Sequence, residues 1–477
     1  MGDAASEQLT GQFARTVFGG SPVVVVGEPG KPDSTKSDSG AEAAARAAHA
    51  PLLLATAVTP QLTADVEGLH PRDVLDEGLP QAKLRAALKG VQGIQVVGSV
   101  AQLPATAAPS ALKTVAVLVP RTSTGAAASK GKSTATGPGP GAGEPDADDI
   151  AAVTATAEAA GASVIPVTSG DPRADPAAIE ALARTHPGRV IAVGKEFGPG
   201  VRLESRLAVA ETGRQLPGGG QVMFPGRRLV ALYGHPGAPS LGALGEQDLS
   251  ATVTRAEELA DQYKSLSGVP VVPTFEIIAT VAEGAPWPDG TYSAASTVAE
   301  LRPWIDDASA HGMYVVLDLQ PGRASLLAQA ELYQSLLELP NVGLALDPEW
   351  KLQPGQLPLQ QIGHVDVSEV NSVVHWLAGL TAEHRLPQKL LVIHQFRPSM
   401  IQGENELDTS EDDLSIVLHM DGQGSQGAKQ ATWDGVTSGA PSGVYFGWKN
   451  FFTKDDPMLT PQQTMTKTPT PVMISYQ

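Results

Sequence analysis

Apolar runs of four to six residues recur along the N-terminal part of the chain, separated by stretches of helical periodicity. SPVVVVGEP contains the first run, Val23 to Val26; an Ala-rich helical stretch, Ala41 to Ala48, follows, and then a second run, APLLLAT. QAKLRAALKG reads as the next helix and IQVVGSV as a third strand. The pattern then repeats: strand KTVAVLVPR, helix ADDIAAVTATAEAAGA, strand SVIPVTSG, helix DPAAIEALARTHPG, strand RVIAVGKEF. Short continuous apolar runs alternating with helical patterns predict parallel strands joined by crossover helices. Two small doubly wound, Rossmann-like α/β units are therefore expected, over residues 1–110 and 111–220. Inside the second, residues 121–146 consist mostly of Gly, Ser, Thr, Pro and Ala and read as a flexible surface loop, because they cannot bury enough apolar surface to order themselves. The Gly and Pro cluster RQLPGGGQVMFPGRR, Arg214 to Arg228, reads as a domain boundary.

Beyond that boundary the rhythm becomes regular. RLVALYGHPG, PVVPTFEIIAT, MYVVLDLQPGR, VGLALDPEW, KLLVIHQFR, LSIVLHMDGQG, GVYFGWKNF and PVMISYQ are eight apolar runs. Clear amphipathic helices separate the earlier ones, for example DLSATVTRAEELADQYKSL and VSEVNSVVHWLAGLTAEH; after runs five to seven the helices are shorter or poorly marked. Residues 221–477 thus have the size and order of a (β/α)8 TIM barrel. An open parallel sheet of eight strands is the alternative.

Composition narrows the functions. The net charge of −18 and pI of about 5.0, with no basic patch, argue against nucleic acid or an anionic membrane as partner. The chain has no cysteine, which removes disulfides, thiolate metal sites and cysteine nucleophiles. It has no apolar run of about 18 residues, so no transmembrane segment is expected. The opening MGDAASEQLTGQ lacks the basic and apolar regions of a signal peptide. The glycines in VVVVGEPG, VVGSV and AVGKEF match no phosphate- or dinucleotide-binding motif and read as turns at strand ends.

In a barrel the C-terminal strand ends form the active-site face. Those ends carry Tyr233 and His235, Glu276, Asp318 with Gln320 and Arg323, Asp347 with Glu349 and Trp350, His394 with Gln395, Asp421, Lys449 and Tyr476. One such group is an ordinary strand cap. A polar group at the same end of every strand reads as a cleft, since burying each unpaired would cost about 2–7 kcal/mol. Paired carboxylates beside aromatics are the equipment of glycoside hydrolysis. Glu349 is the expected acid and Asp347 its tuning partner, the two pointing the same way on an extended chain. Asp318, Glu276 and Asp421 complete the catalytic set, with no cofactor. Substrate binding falls to His235, Tyr233, Gln320, Arg323, Trp350, His394, Gln395, Lys449 and Tyr476; Trp287, Phe396 and Trp448 are further candidates for stacking on sugars. A rival reading gives His235, Glu276, Asp318, Asp347, His394 and Asp421 to a divalent metal (Zn, Mn or Mg) in a phosphodiesterase-like hydrolase or isomerase. A third is a noncatalytic barrel that binds carbohydrate or cell wall. No G-x-S-x-G elbow supports a serine hydrolase.

Several stretches resemble known families. The Asp347-Pro348-Glu349 tip is similar to the D-x-E of chitinase-type glycosidases, whose fuller aspartate series is absent here. Residues 10 to 200, with AHAPLLLAT and the VVG strand end, resemble the cell-wall-binding repeats of Gram-positive surface proteins, though the Arg- and Tyr-containing opening of those repeats is missing. That resemblance implies the cell wall as a partner. The barrel half, from YGHPGAPSLGALGE through ALDPEW, EVNSVVHWLAGL, LPQKLLVIHQF, HMDGQG and GWKNFF to ISYQ, resembles a family of exported actinobacterial proteins, often lipoproteins. It implies a TIM barrel in an exported chain, at the cell surface or outside it. It also implies a mature start near Gly2, with Met1 standing where an anchoring cysteine would be, and it names no substrate.

Overall fold

Each of the eight apolar runs is a strand in the computed structural model. They are β1 (Arg228–Gly234), β2 (Val271–Ala282), β3 (Tyr314–Leu319), β4 (Val342–Leu346), β5 (Lys389–Gln395), β6 (Leu414–Met420), β7 (Tyr445–Asn450) and β8 (Met473–Tyr476). The structure describes residues 23–27, 40–103 apart from 56, 70, 78 and 92, 112–121, and 147–477. All eight strands are parallel and pair in sequence order, and β8 pairs back with β1. The closed ring makes this a (β/α)8 barrel and rules out the open sheet.

Alternation along each strand divides the core into two layers. Outward residues such as Leu232, Ile277, Leu317, Leu346, Ile393 and Leu418 pack beneath the helices Leu249–Lys264, Val298–Ala310 and Val367–Glu383. Inward residues fill the lower lumen: Leu229, Ala231, Val272, Val316, Ala345, Val392 and Val417. Asp248, Thr297 and Asp366 cap the three helices, Thr297 through a reciprocal capping box with Glu300. Between β5 and β6 there are only 3-10 turns and a two-residue strand, in line with the weak helical pattern there.

The Gly and Pro cluster before β1 lies just past the division between the two compact units and belongs to the barrel. The barrel unit begins at Thr212, and Leu216, Met223 and Phe224 are buried against the inward residues of the lower lumen. Buried Arg227 gathers the carbonyls of Met223 (3.0 Å), Gly219 (2.6 Å), Val222 (3.0 Å) and Pro217. The glycines let the chain fold tightly around that guanidinium: Gly218, Gly219 and Gly220 all have positive φ. The segment therefore closes the N-terminal end of the barrel.

The other compact unit is Met1–Glu211. It holds a four-stranded parallel sheet in the order Leu52–Ala55, Val23–Gly27, Asp73–Glu77, Gln95–Val97, and a three-stranded one in the order Ser163–Val167, Val115–Pro120, Arg189–Ala192. Both begin with the same winding, the second strand on one side of the first and the third on the other. Asp73–Glu77 is an additional strand: its sequence DVLDE is too acidic to read as an apolar run, although Val74 and Leu75 are fully buried. The helix Ala147–Ala159 serves both sheets. Ala152 and Ala155 pack with Ala44, Ala45 and Leu52, while Ala157 and Ala159 pack with Val115 and Val117. Of the expected 121–146 loop, residues 122–146 lie outside the described residues.

Candidate active site

Above the apolar lumen, every strand turns one polar side chain inward: Tyr233, Glu276, Asp318, Asp347, His394, His419, Lys449 and Ser475, in strand order. Alternation places them there, two residues beyond inward apolar positions such as Ala231, Val316, Ala345, Val392 and Val417. All eight are buried.

His394 is the hub. Its Nε2 lies 3.0 Å from Glu276 Oε1 and 3.9 Å from Asp318 Oδ1, and its Nδ1 lies 3.4 Å from Asp421 Oδ2. The last is an ion-pair distance without a well-formed hydrogen bond, as Nδ1 finds no aligned acceptor. Burial alone would lower the His394 pKa, but Glu276, Asp421 and Asp318 outweigh it and hold the imidazole protonated well above its usual range. In return, burial pushes Glu276 and Asp421 up, yet the imidazolium brings both below the ordinary carboxylate value. His419, whose ring centroid is 5.1 Å from that of His394, is pushed down to about 3 by burial and by the charges of His394 and Lys449. It stays neutral, with Nε2 3.1 Å from Ser475 Oγ.

On the other side, Tyr233 donates to Asp318 Oδ2 at 2.8 Å, and Lys449 rests its ammonium 3.4 Å from the centroid of the Tyr233 ring. Gln320 Nε2 reaches the same tyrosine oxygen at 3.5 Å while its Oε1 accepts from the Ala282 amide at 2.9 Å. Asp318 is raised by burial, with Glu276 adding to it against His394. Asp347 is raised well above the usual value by burial, Glu349 and Asp318.

Glu349 sits on the 3-10 turn Pro348–Trp350 and is half-buried at the mouth. Burial and the facing Asp421 push it up to about 7, against Lys449 and His394. Asp347, Glu349 and Asp421 each bring a carboxylate oxygen within 4.8 Å of the others, a spacing that would suit a cation. His375, Asp408 and Glu411 form a similar but more exposed group outside the mouth.

The structure thus assembles Tyr233, Glu276, Asp318, Gln320, Asp347, Glu349, His394, Asp421 and Lys449. It leaves others outside. Tyr476 faces outward, where its hydroxyl meets that of Tyr263 at 2.6 Å and its ring stacks on Phe452; the inward residue of β8 is Ser475. Gln395 also points outward and donates to Glu404 at 2.8 Å. His235 anchors a loop through Ile278 O at 2.9 Å and stands apart from the other five residues of the rival metal set, Glu276, Asp318, Asp347, His394 and Asp421, which do converge. Arg323 is a rim clasp, lying over the Tyr292 ring and donating to Gln356 O at 2.8 Å. Trp350 is half-buried beside Glu349, and Trp287 is exposed. Phe396 is half-buried under the Arg397 guanidinium. Trp448 is buried on the outer side against Trp433, its indole donating to Asn450.

His419 and Ser475 were hidden in the sequence inside apolar runs. The signal was there: counting back two residues from Asp421 gives His419 on the same face. Gly447 makes room for it, since a Cβ at that position would lie 2.4 Å from the His419 ring. No protein-family model and no curated protein matches this chain.

Proposed function

We propose that the barrel is an exported glycoside hydrolase working at or outside the cell surface, with Glu349 as the proton donor and Asp421 as its ionised partner. The observation that carries this reading is the divergence of two facing carboxyls: Glu349 pushed up to about 7 and Asp421 held down by His394, with oxygens within 4.8 Å. Environments that drive two such groups apart assign acid and base. Glu349 protonates the leaving glycosidic oxygen. Asp421, ionised, meets the positive charge that develops at the anomeric carbon. Their nearest oxygens, within 4.8 Å, leave less than the ~6.5–9.5 Å that an attacking water needs between the pair. Asp421 therefore bonds the anomeric carbon as the glycosidic bond breaks, water activated by Glu349 then releases the sugar from Asp421, and the product keeps the anomeric configuration. Burial and the ionised Asp421 keep Glu349 protonated, while Asp347, itself raised by burial, borders both.

The exported location and a wall-binding role for residues 10 to 200 are proposals that rest on sequence resemblance; the common winding of the two small sheets agrees with a repeat. Substituting Glu349→Gln is expected to lower glycan hydrolysis at least ~100-fold, the usual worth of a positioned acid, with an unchanged circular dichroism spectrum. Undiminished turnover, or inversion at the anomeric centre, overturns the assignment.

A further inference from the structure

The barrel mouth holds more acceptors than donors. Glu276 Oε2, Asp318 Oδ1, Asp347 Oδ1 and Asp421 Oδ1 are buried and receive no hydrogen bond among the described residues. Each such oxygen costs about 1–3 kcal/mol while it lacks a donor. Most donors nearby are already engaged: His394 Nε2 with Glu276, the Tyr233 hydroxyl with Asp318, and Lys449 against an aromatic face, while His394 Nδ1 faces Asp421 Oδ2 at 3.4 Å without a formed hydrogen bond. Positive charge is short as well. Glu276 and Asp421 are held ionised by the single imidazolium, whereas burial and neighbouring carboxylates raise Asp318, Asp347 and Glu349, which one ammonium does not offset, His419 being neutral. Asp347 is the extreme case, 2% exposed, close to Glu349 and Asp421, with an Oδ1 that meets no donor.

Sugar hydroxyls supply donors but no charge. We infer that the substrate is a glycan bearing free, protonated amino groups, and that one ammonium docks on Asp347, beside Glu349 and Asp421. The sugar part of this inference rests on the glycosidase reading; the ammonium part rests on the unpartnered buried acceptors and the shortage of positive charge. An ammonium offers a donor to Asp347 Oδ1, which has none, and leaves with the product. Sulfated, phosphorylated or uronic glycans meet the same negative charge as repulsion.

The test compares binding of a glucosamine oligosaccharide and an N-acetylglucosamine oligosaccharide of equal length to the full chain, by calorimetry at a pH where the amine is protonated, with chelator present. N-acetylation removes the charge and two of the three N–H donors. Wild type is expected to prefer the free amine by about tenfold or more, the worth of one charge-assisted hydrogen bond. Asp347→Asn, which keeps the side-chain shape, is expected to bring the two affinities together. Equal affinities in wild type, or a preference untouched by Asp347→Asn, overturn the inference. So does tight binding of Ca2+, Mg2+ or Mn2+ alone that Asp347→Asn abolishes, since the cluster is then a metal site. Turnover is scored separately. Amine preference without cleavage leaves the site standing and removes the glycosidase reading; cleavage of acetylated glycans without amine preference does the reverse.

Discussion

At the scale of single residues, function hangs on how two histidines of adjacent strands come to differ. His394 and His419 are register partners on β5 and β6, both fully buried. One touches carboxylates and is charged; the other touches a serine and is not. The charged one keeps Asp421 ionised while Glu349 retains its proton until about pH 7. Because Glu349 must be protonated to act, kcat/KM is expected to fall on the alkaline side with a midpoint near 7. Lys449 opposes that rise, so Lys449→Met should move the limb to higher pH; a limb that stays put in the pH–rate profile shows that Glu349 does not set it. Most of this chemistry was legible in the sequence because carboxylates, Lys449 and His394 stand out at strand tips. Parity was harder to read. Tyr476 and Gln395 lie one residue off the inward face, and a one-residue offset reverses a side chain completely.

At the scale of elements, the eight strands were legible because each is a continuous apolar run buried on both faces. The segment before β1 was not, since Gly and Pro clusters carry the same signature whether they link domains or fold over a lumen. Its function shows only in three dimensions, where Phe224 and Met223 are buried against the lower lumen and Arg227 ties the turn together. Phe224→Ala is expected to cost the barrel about 3–5 kcal/mol, the usual loss for a buried aromatic. All six tryptophans lie between Trp287 and Trp448, so their fluorescence during denaturant unfolding reports this unit alone. An unshifted midpoint would mean that the segment is only an attached tail.

At the scale of the molecule, the repeat in Met1–Glu211 has a seam that the sequence places differently from the fold. By strand and helix count the two halves part near residue 110. Yet the helix Ala147–Ala159, which belongs to the second half, presents Ala152 and Ala155 to the first, and its Thr156 hydroxyl accepts from the Leu52 amide at 3.1 Å. Arg46 and Glu158 add an ion pair across the same line. A chain starting at Thr212 is therefore expected to keep its barrel, whereas one starting at residue 111 should expose the alanine face and lose protease protection over 147–211. Equal protection of 147–211 in the shortened and full chains, read by limited proteolysis and mass spectrometry, would contradict this. The two copies are consequently not interchangeable cassettes. A recombination breakpoint between them would sever one cooperative folding unit, so duplications or deletions in this lineage should begin and end outside the pair.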